Sequence, residues 1–231
     1  MIVGSGTTIQ RPTRPTSGGS GGGGSSGGAR VGNAGLVGAQ TTPADNAETQ
    51  PTEETLAEEV NGHWAQTEIT FLIQQGIVRG DENGLHLQEA ITRAEFMALL
   101  IRSLGIAPRA YVGGFEDVSA TDWYADTVQA AVDAGIAQGD GEKMMPNDVI
   151  TREEMTKMLA AVCADQIADT ENTTHQFTDS DQISAWANSA VGDVATLGII
   201  KGFEDGSFRP QEHLLREQAM VAIYRLLQLT K

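Results

Sequence analysis

The sequence predicts an all-α protein: three helix–loop–helix repeats behind a flexible N-terminal tail. Three observations predict it. Tryptophan, glycine and arginine landmarks recur in register, apolar residues at helical spacing flank each glycine pair, and 13 of the 27 glycines fall within the first 40 residues. The chain of 231 residues has room for one large domain or two small ones with tails, and its apolar share of 40 % is enough for a core.

The tail comes first. Gly21 to Gly24 stand in a row among Ser, Thr and Pro, and Pro43 and Pro51 follow with scattered acids. Such a stretch cannot bury enough apolar surface to offset its ordering entropy, so residues 1–55 are expected to be a disordered, dispensable linker. The start, Met1-Ile2-Val3-Gly4-Ser5, lacks the basic and apolar blocks of a signal peptide. A tether implies cargo, and the chain is expected to be part of a longer protein.

From residue 56 the chain repeats itself. Trp64, Trp123 and Trp186 are each followed after 12 residues by Gly76, Gly135 and Gly198, and after 4 more by Gly80, Gly139 and Gly202. Arg93, Arg152 and Arg216 come 13, 13 and 14 residues later. The repeats span 56–109, 110–172 and 173–231. Behind each tryptophan lies one apolar stripe: Ile69, Leu72 and Ile73; then Val128, Ala131 and Val132; then Val191, Val194 and Ala195. The first glycine falls where a left-handed residue ends that helix. A second stripe follows each arginine: Phe96, Leu99, Leu100 and Leu104; Met155, Met158, Leu159 and Cys163; Ala219, Ala222, Ile223 and Leu227.

Thr92-Arg93-Ala94-Glu95 and Thr151-Arg152-Glu153-Glu154 read as capping boxes that start the second helices. The third, Leu215-Arg216-Glu217-Gln218, lacks the Thr, so its start is expected to be the least well capped and Arg216 to matter less. An arginine at the first helical position opposes the macrodipole by about 0.3–1 kcal/mol, so its recurrence points to a purpose other than helix stability. Its side chain is expected to leave the helix start without packing inward, and the fold to survive its removal.

Charge and composition exclude several function classes. With 15 Lys and Arg against 31 Asp and Glu the formal charge is −16, which disfavours nucleic acid and anionic lipid. A single cysteine, Cys163, excludes a disulfide framework and multi-cysteine zinc sites, and its stripe position reads as a buried, inert thiol. His63, His86, His175 and His213 form no ligand motif, and in Asp81-Glu82-Asn83-Gly84 the glycine stands fourth, not sixth, so no EF-hand is present. No Ser, Cys or His lies in a nucleophile motif. No enzyme, no cofactor and no metal requirement is expected, and weaker calcium binding by the acidic loops stays open.

The landmarks resemble the S-layer homology (SLH) domain of bacterial surface proteins. The resemblance rests on Phe115-Glu116-Asp117-Val118, Trp123, Gly135-Ile136-Ala137-Gln138-Gly139 and Ile150-Thr151-Arg152-Glu153-Glu154 in the second unit. The third offers Phe177-Thr178-Asp179, Trp186, Gly198-Ile199-Ile200-Lys201-Gly202, Asp205-Gly206-Ser207-Phe208-Arg209-Pro210 and Arg216. The first offers Trp64, Gly76-Ile77-Val78-Arg79-Gly80 and Ile91-Thr92-Arg93-Ala94-Glu95, with Leu56 and Glu58 where the family has Phe and Asp. The resemblance implies a pseudo-threefold axis, a central helical bundle and grooves between units. It implies non-covalent attachment, outside the cell, to a secondary cell-wall polymer carrying pyruvylated sugars. The alternatives are an assembly module of an S-layer lattice and the anchoring appendage of an extracellular enzyme.

The ligand residues implied are Arg93, Arg152 and Arg216, with the loops ending at Gly80, Gly139 and Gly202. A guanidinium pairs bidentately with a carboxylate, and helix N-terminal amides are expected to add donors. An exposed or ion-paired arginine is the competing reading. The glycines answer first to the turn. Trp64, Trp123 and Trp186 stand either as core anchors or as rings that stack on a sugar.

Overall fold

A computed structural model describes residues 51–168 and 177–229. The expected disordered tail therefore lies, for residues 1–50, outside the described residues. Among the described residues the elements are α1 (Glu53–Glu59), α2 (Gln66–Gln74), α3 (Arg93–Ser103), α4 (Ala125–Asp133), α5 (Arg152–Val162), α6 (Ala164–Ala168), a 3-10 turn (Ser180–Gln182), α7 (Asn188–Thr196) and α8 (Arg216–Leu229). This is the all-α, three-repeat architecture that the sequence predicts. Each repeat has a leading helix (α2, α4, α7) and a trailing helix (α3, α5, α8).

The apolar stripes form the core. Ile69, Leu72, Ile73, Val128, Ala131, Val191, Val194 and Ala195 are buried on the leading helices. Those helices end as predicted, with Gly76, Gly135 and Gly198 at φ +66°, +70° and +73°. Each glycine amide donates back into the last turn, and the next residue reaches one residue further back: Ile77 to the Leu72 carbonyl, Ile136 to Ala131, Ile199 to Val194. On the trailing helices both predicted capping boxes are complete. At α8 the Leu215 amide donates to Gln218 Oε1 at 3.2 Å, while Leu215 has no hydroxyl with which to complete a box.

The repeats are joined at a ring. The Ile91 amide donates to the Leu214 carbonyl, Leu214 to Ile150, and Ile150 back to Ile91, at 2.9, 3.0 and 3.1 Å. All three residues are buried, and the closed triangle marks the pseudo-threefold axis. From it the repeats interleave. Each leading helix packs chiefly on the trailing helix of the preceding repeat: α4 on α3, α7 on α5, and α2 on α8, which closes the circle. On the closing pair, Phe71 and Tyr224 meet edge to face at 5.3 Å.

A buried carboxylate fastens two of these junctions. Glu153 accepts from the Ser184 amide (3.0 Å), the Ser184 hydroxyl (2.8 Å) and Gln211 (2.7 Å). Glu217 accepts from His63 (3.0 Å), Trp64 (3.2 Å) and Gln88. At the third junction the matching residue is Ala94, and a buried Tyr124 stands where the other repeats have Ala65 and Ala187. The Tyr124 hydroxyl then takes the bond from Asn147 at 3.2 Å. A large residue thus replaces a carboxylate here, and its hydroxyl is satisfied within the second repeat.

The first repeat opens differently from the expectation at one residue. Leu56 is buried beneath Gly80, as Phe177 is beneath Gly202, and the half-buried Phe115 takes the same place beneath Gly139. The acid that does the work of Asp117 and Asp179 is Glu59, not Glu58: its carboxylate accepts from the Leu85 amide at 3.0 and 3.1 Å. The reason is local. This stretch is helical in α1, so residues three apart share a face, whereas its counterparts are not helical and place residues two apart.

Candidate functional site

Each trailing helix starts against a loop of the following repeat, and there the three arginines sit. The loops are aimed by strained residues. Met145, Arg209 and His86 hold left-handed backbone at φ +55°, +57° and +53°, a conformation that costs non-glycine residues about 1–3 kcal/mol. Carboxylates hold them there. Asp117 accepts from the Met144 and Met145 amides at 2.9 and 2.7 Å, and Asp179 from the Phe208 and Arg209 amides at 2.7 Å each.

The turn points carbonyls at the neighbouring helix. Pro146 and Asp148 accept from the Ala94 and Arg93 amides at 2.8 and 2.9 Å; Pro210 and Glu212 accept from Glu153 and Arg152, both at 3.0 Å; Leu87 and Glu89 accept from Glu217 and Arg216 at 3.1 and 2.9 Å. The helix N-terminal amides expected to receive an anion are therefore occupied. At α3 and α5 the third amide is taken by the cap threonine.

The arginines pack inward, contrary to expectation. Arg93 and Arg152 are only 8 % and 6 % exposed. Arg152 donates from Nε to the Phe208 carbonyl (2.8 Å) and from Nη2 to Lys201 (3.3 Å), with its guanidinium 4.8 and 5.1 Å from the Phe203 and Phe208 rings. Arg93 donates from Nη2 to Gln138 (2.9 Å) and lies 3.6 Å from Glu154, while its Nε is buried without a partner. Arg216 donates to the Leu85 carbonyl (3.0 Å) and pairs with Glu95 at 2.9 Å. Burial pushes the Arg93 and Arg152 guanidinium pKa values down from their ordinary range. The arginines thus bridge repeats. Each ties its helix to the next repeat's loop, so their removal is expected to loosen the fold.

Two cavities open beside these bridges. Arg93 lines one of about 640 Å³ with Gly139, Asp140, Glu154, Lys157 and Trp186. Arg152 lines one of about 190 Å³ with Trp64, Lys201, Gly202, Gln218 and Arg225. The third arginine, Arg216, borders neither. The glycines are packing requirements as well as wall: a Cβ on Gly139 would lie 2.2 Å from the Lys143 carbonyl oxygen and 2.7 Å from the Phe115 ring. At Gly202 and Gly80 the nearest atoms would be 2.8 and 2.7 Å away, on Phe177 and Leu56.

The tryptophans are not core anchors. Trp64, Trp123 and Trp186 are 61 %, 63 % and 51 % exposed, and the residue after each (Ala65, Tyr124, Ala187) is the buried one. Because leading helices pack on the preceding repeat, Trp186 of the third repeat reaches the cavity between the first and second. Trp64 of the first repeat reaches the cavity between the second and third. Trp123 lines neither.

A family model for the S-layer homology domain matches residues 60–97, 114–156 and 176–220. The chain belongs to the S-layer homology family. It is 38 % identical over 173 residues to an amylopullulanase of Thermoanaerobacterium thermosulfurigenes, covering 74 % of this chain and 9 % of that protein. It is 39 % identical over 178 residues to Exoglucanase XynX of Acetivibrio thermocellus, covering 74 % and 16 %. It is 29 % identical over 170 residues to the Surface-layer 125 kDa protein of Lysinibacillus sphaericus, covering 71 % and 14 %. The chain thus spans less than a fifth of the length of these relatives.

In this S-layer homology triplet the sequence reading missed the junction acids Glu153 and Glu217, and the further cations on the cavity walls, Lys157, Lys201 and Arg225. The acids carried a signal, since both sit at the second helical position beside the arginine. Two of the cations carried a signal as well: Lys201 matches Arg79 just before the second glycine, and Arg225 matches Arg102 nine residues after the arginine, whereas Lys157 has no counterpart. The acidic loops use their carboxylates internally: Asp81 accepts from the Asn83 amide and His86, and Asp140 from the Glu142 and Lys143 amides. Among the described residues no three His, Cys, Asp or Glu come together as a metal would need.

Proposed function

We propose that this triplet anchors its protein non-covalently outside the cell by holding a secondary cell-wall polymer, with pyruvylated sugars, in the grooves between repeats. One observation carries the reading. At two equivalent repeat junctions a cross-repeat arginine, a glycine-loop wall and an exposed tryptophan line the same cavity. An exposed indole stacks on a sugar ring, and a guanidinium pairs with a pyruvyl carboxylate. The ligand-facing residues are Arg93, Gly139 and Trp186 in one groove and Arg152, Gly202 and Trp64 in the other, with Arg216, Gly80 and Trp123 at the third junction. The net charge of −16 makes these local cations the places where an acidic polymer can be held.

The chain itself is the non-catalytic anchor. Two of the relatives above are named as polysaccharide-degrading enzymes and match only over a small share of their length, which favours an extracellular enzyme as cargo. The similarity to a surface-layer protein favours a lattice-assembly role instead. Among the described residues no helix is long and apolar enough to cross a membrane. Pull-down on purified walls decides: the parent chain sediments with walls, and chemical removal of the polymer abolishes sedimentation. Retention on stripped walls, or self-assembly without walls, would favour the lattice role.

A further inference from the structure

We infer that the groove between the second and third repeats is the carboxylate-selective one, and that Gln218 makes it so. This rests on the wall-glycan reading above and says which groove takes the acidic sugar. Two of the arginines pair with the third helical residue of the next trailing helix, Arg216 with Glu95 and Arg93 with Glu154; the equivalent of these acids for Arg152 is Gln218, which lines the same cavity. Both pairs are ionic, at 2.9 and 3.6 Å. Among the described residues Arg152 has no ion pair. Its bonds go to the neutral carbonyls of Phe208 and Lys201, and it shares a cavity with Gln218.

The surrounding charges reinforce the difference. Lys201 and Arg225 line the Arg152 cavity and no acid does, whereas Asp140 and Glu154 line the Arg93 cavity. The acids nearest Arg152 are already engaged: Asp179 with the Phe208 and Arg209 amides, Glu212 with the Arg209 side chain at 3.4 Å. A ligand carboxylate arriving at Arg93 or Arg216 competes with an internal carboxylate and gains little net attraction. At Arg152 it meets a cation that no carboxylate among the described residues contacts, with Glu212 and Asp179 acting on it only at longer range, in a half-enclosed site. The fold does not need the missing charge, since the Gln218 oxygen already accepts from the Leu215 amide. The irregular motif of the third repeat therefore alters the groove of Arg152 and not that of Arg216, where the sequence expectation had put its effect.

The test uses the whole chain with W123F and W186F, which leave Trp64 as the reporter of this groove. The probes are a methyl hexoside carrying a pyruvyl ketal and the same sugar with an isopropylidene ketal, in which a methyl replaces the carboxylate. The parent is expected to prefer the acidic probe about tenfold, a preference worth one ion pair in a partly enclosed site. Gln218→Glu should erase that preference, leave the neutral probe unchanged and leave the melting temperature intact. Glu154→Gln, read on Trp186 in a W64F, W123F chain, should create the preference in the other groove. The inference is overturned if Gln218→Glu keeps the preference or weakens both probes equally. Wall pull-down of the parent is the separate arm. Loss of wall binding with the probe effect intact sinks the anchoring reading alone, and wall binding with an unchanged Gln218→Glu preference sinks this inference alone.

Discussion

The Leu214 amide donates to the Ile150 carbonyl at 3.0 Å, joining the third repeat to the second at the axis. With the two matching bonds it closes a triangle, and every trailing helix starts from that triangle. A repeat removed from its neighbours loses the bond at the axis, the carbonyls over its helix start and the partner helix of its core face. The chain should therefore unfold in a single transition seen alike by circular dichroism and tryptophan fluorescence. A fragment spanning residues 110–165 should be molten, and a sharp transition for it would contradict the interleaving.

Arg152→Ala should weaken both the fold and the groove. It removes two hydrogen bonds from a buried cation to the carbonyls of Phe208 and Lys201. Bonds to charged groups contribute about 1.5–3 kcal/mol each, so a loss of roughly that size is expected in urea unfolding. Lys at this position keeps the charge without the planar fork and should recover little of it. An unchanged midpoint for Arg152→Ala would mean that the bridge carries no load.

Two glycines of one loop should respond to alanine for different reasons. At Gly135 the added methyl meets open space, but φ is +70°, so about 1 kcal/mol is expected. At Gly139 the methyl runs into the Lys143 carbonyl and the Phe115 ring, and over-packing of about 1–3 kcal/mol or more is expected. Denaturant titration of the two variants ranks them, and the reverse order would contradict the packing account.

The loop of the first repeat should lose stability as pH rises. Hydrogen bonds to the carboxylates of Asp81 and then Glu89 raise the His86 pKa above its ordinary value of 6.5. A raised folded value means the contribution is complete below the unfolded pKa and lost as pH rises through the folded one. His86→Asn, chosen because asparagine tolerates the left-handed backbone, should therefore destabilise more at pH 5.5 than at pH 8.5. Asp205 has the opposite sign. Bonds from Ser207 and then Arg209 hold its carboxyl down at about 2, so its contribution is present above the unfolded value near 3.8 and is lost as pH falls toward 2.

Cys163 should behave as an inert thiol. It is buried at the end of α5, and burial pushes its pKa up to about 11. Reaction with a thiol reagent at neutral pH should follow the unfolding rate; prompt labelling of the native protein would show that the core there is open.

The helices were legible in the sequence because their signals are local: Ile69, Leu72 and Ile73 share a face, Gly76 ends it, and Thr92 with Glu95 starts the next. The position of Arg93 at a helix start was equally legible. Its burial was not, because the Gln138 carbonyl that it meets belongs to another repeat and periodicity carries no record of partners. The same blindness applies to the tryptophans. Trp64 reads as a core residue by type, but Ala65 beside it takes the inward position, and only the docking of α2 on α8 decides which of the two faces inward. Leu56 was read correctly, but the acid was misread by one residue, Glu58 for Glu59, because a short helix replaced an irregular opening, and one acid within reach looks like another in sequence.

The docking of α2 on α8 has a mechanical consequence. It joins the first repeat's leading helix to the last repeat's trailing helix, so the assembly works as a clasp rather than a row of links. Tension entering through the N-terminal side reaches α1 and α2 first and loads that clasp, with Glu217 holding His63 and Trp64 at its start. A load that opens the clasp frees both ends of the circle together. Pulling from the N-terminal side should therefore show one large rupture instead of three small ones.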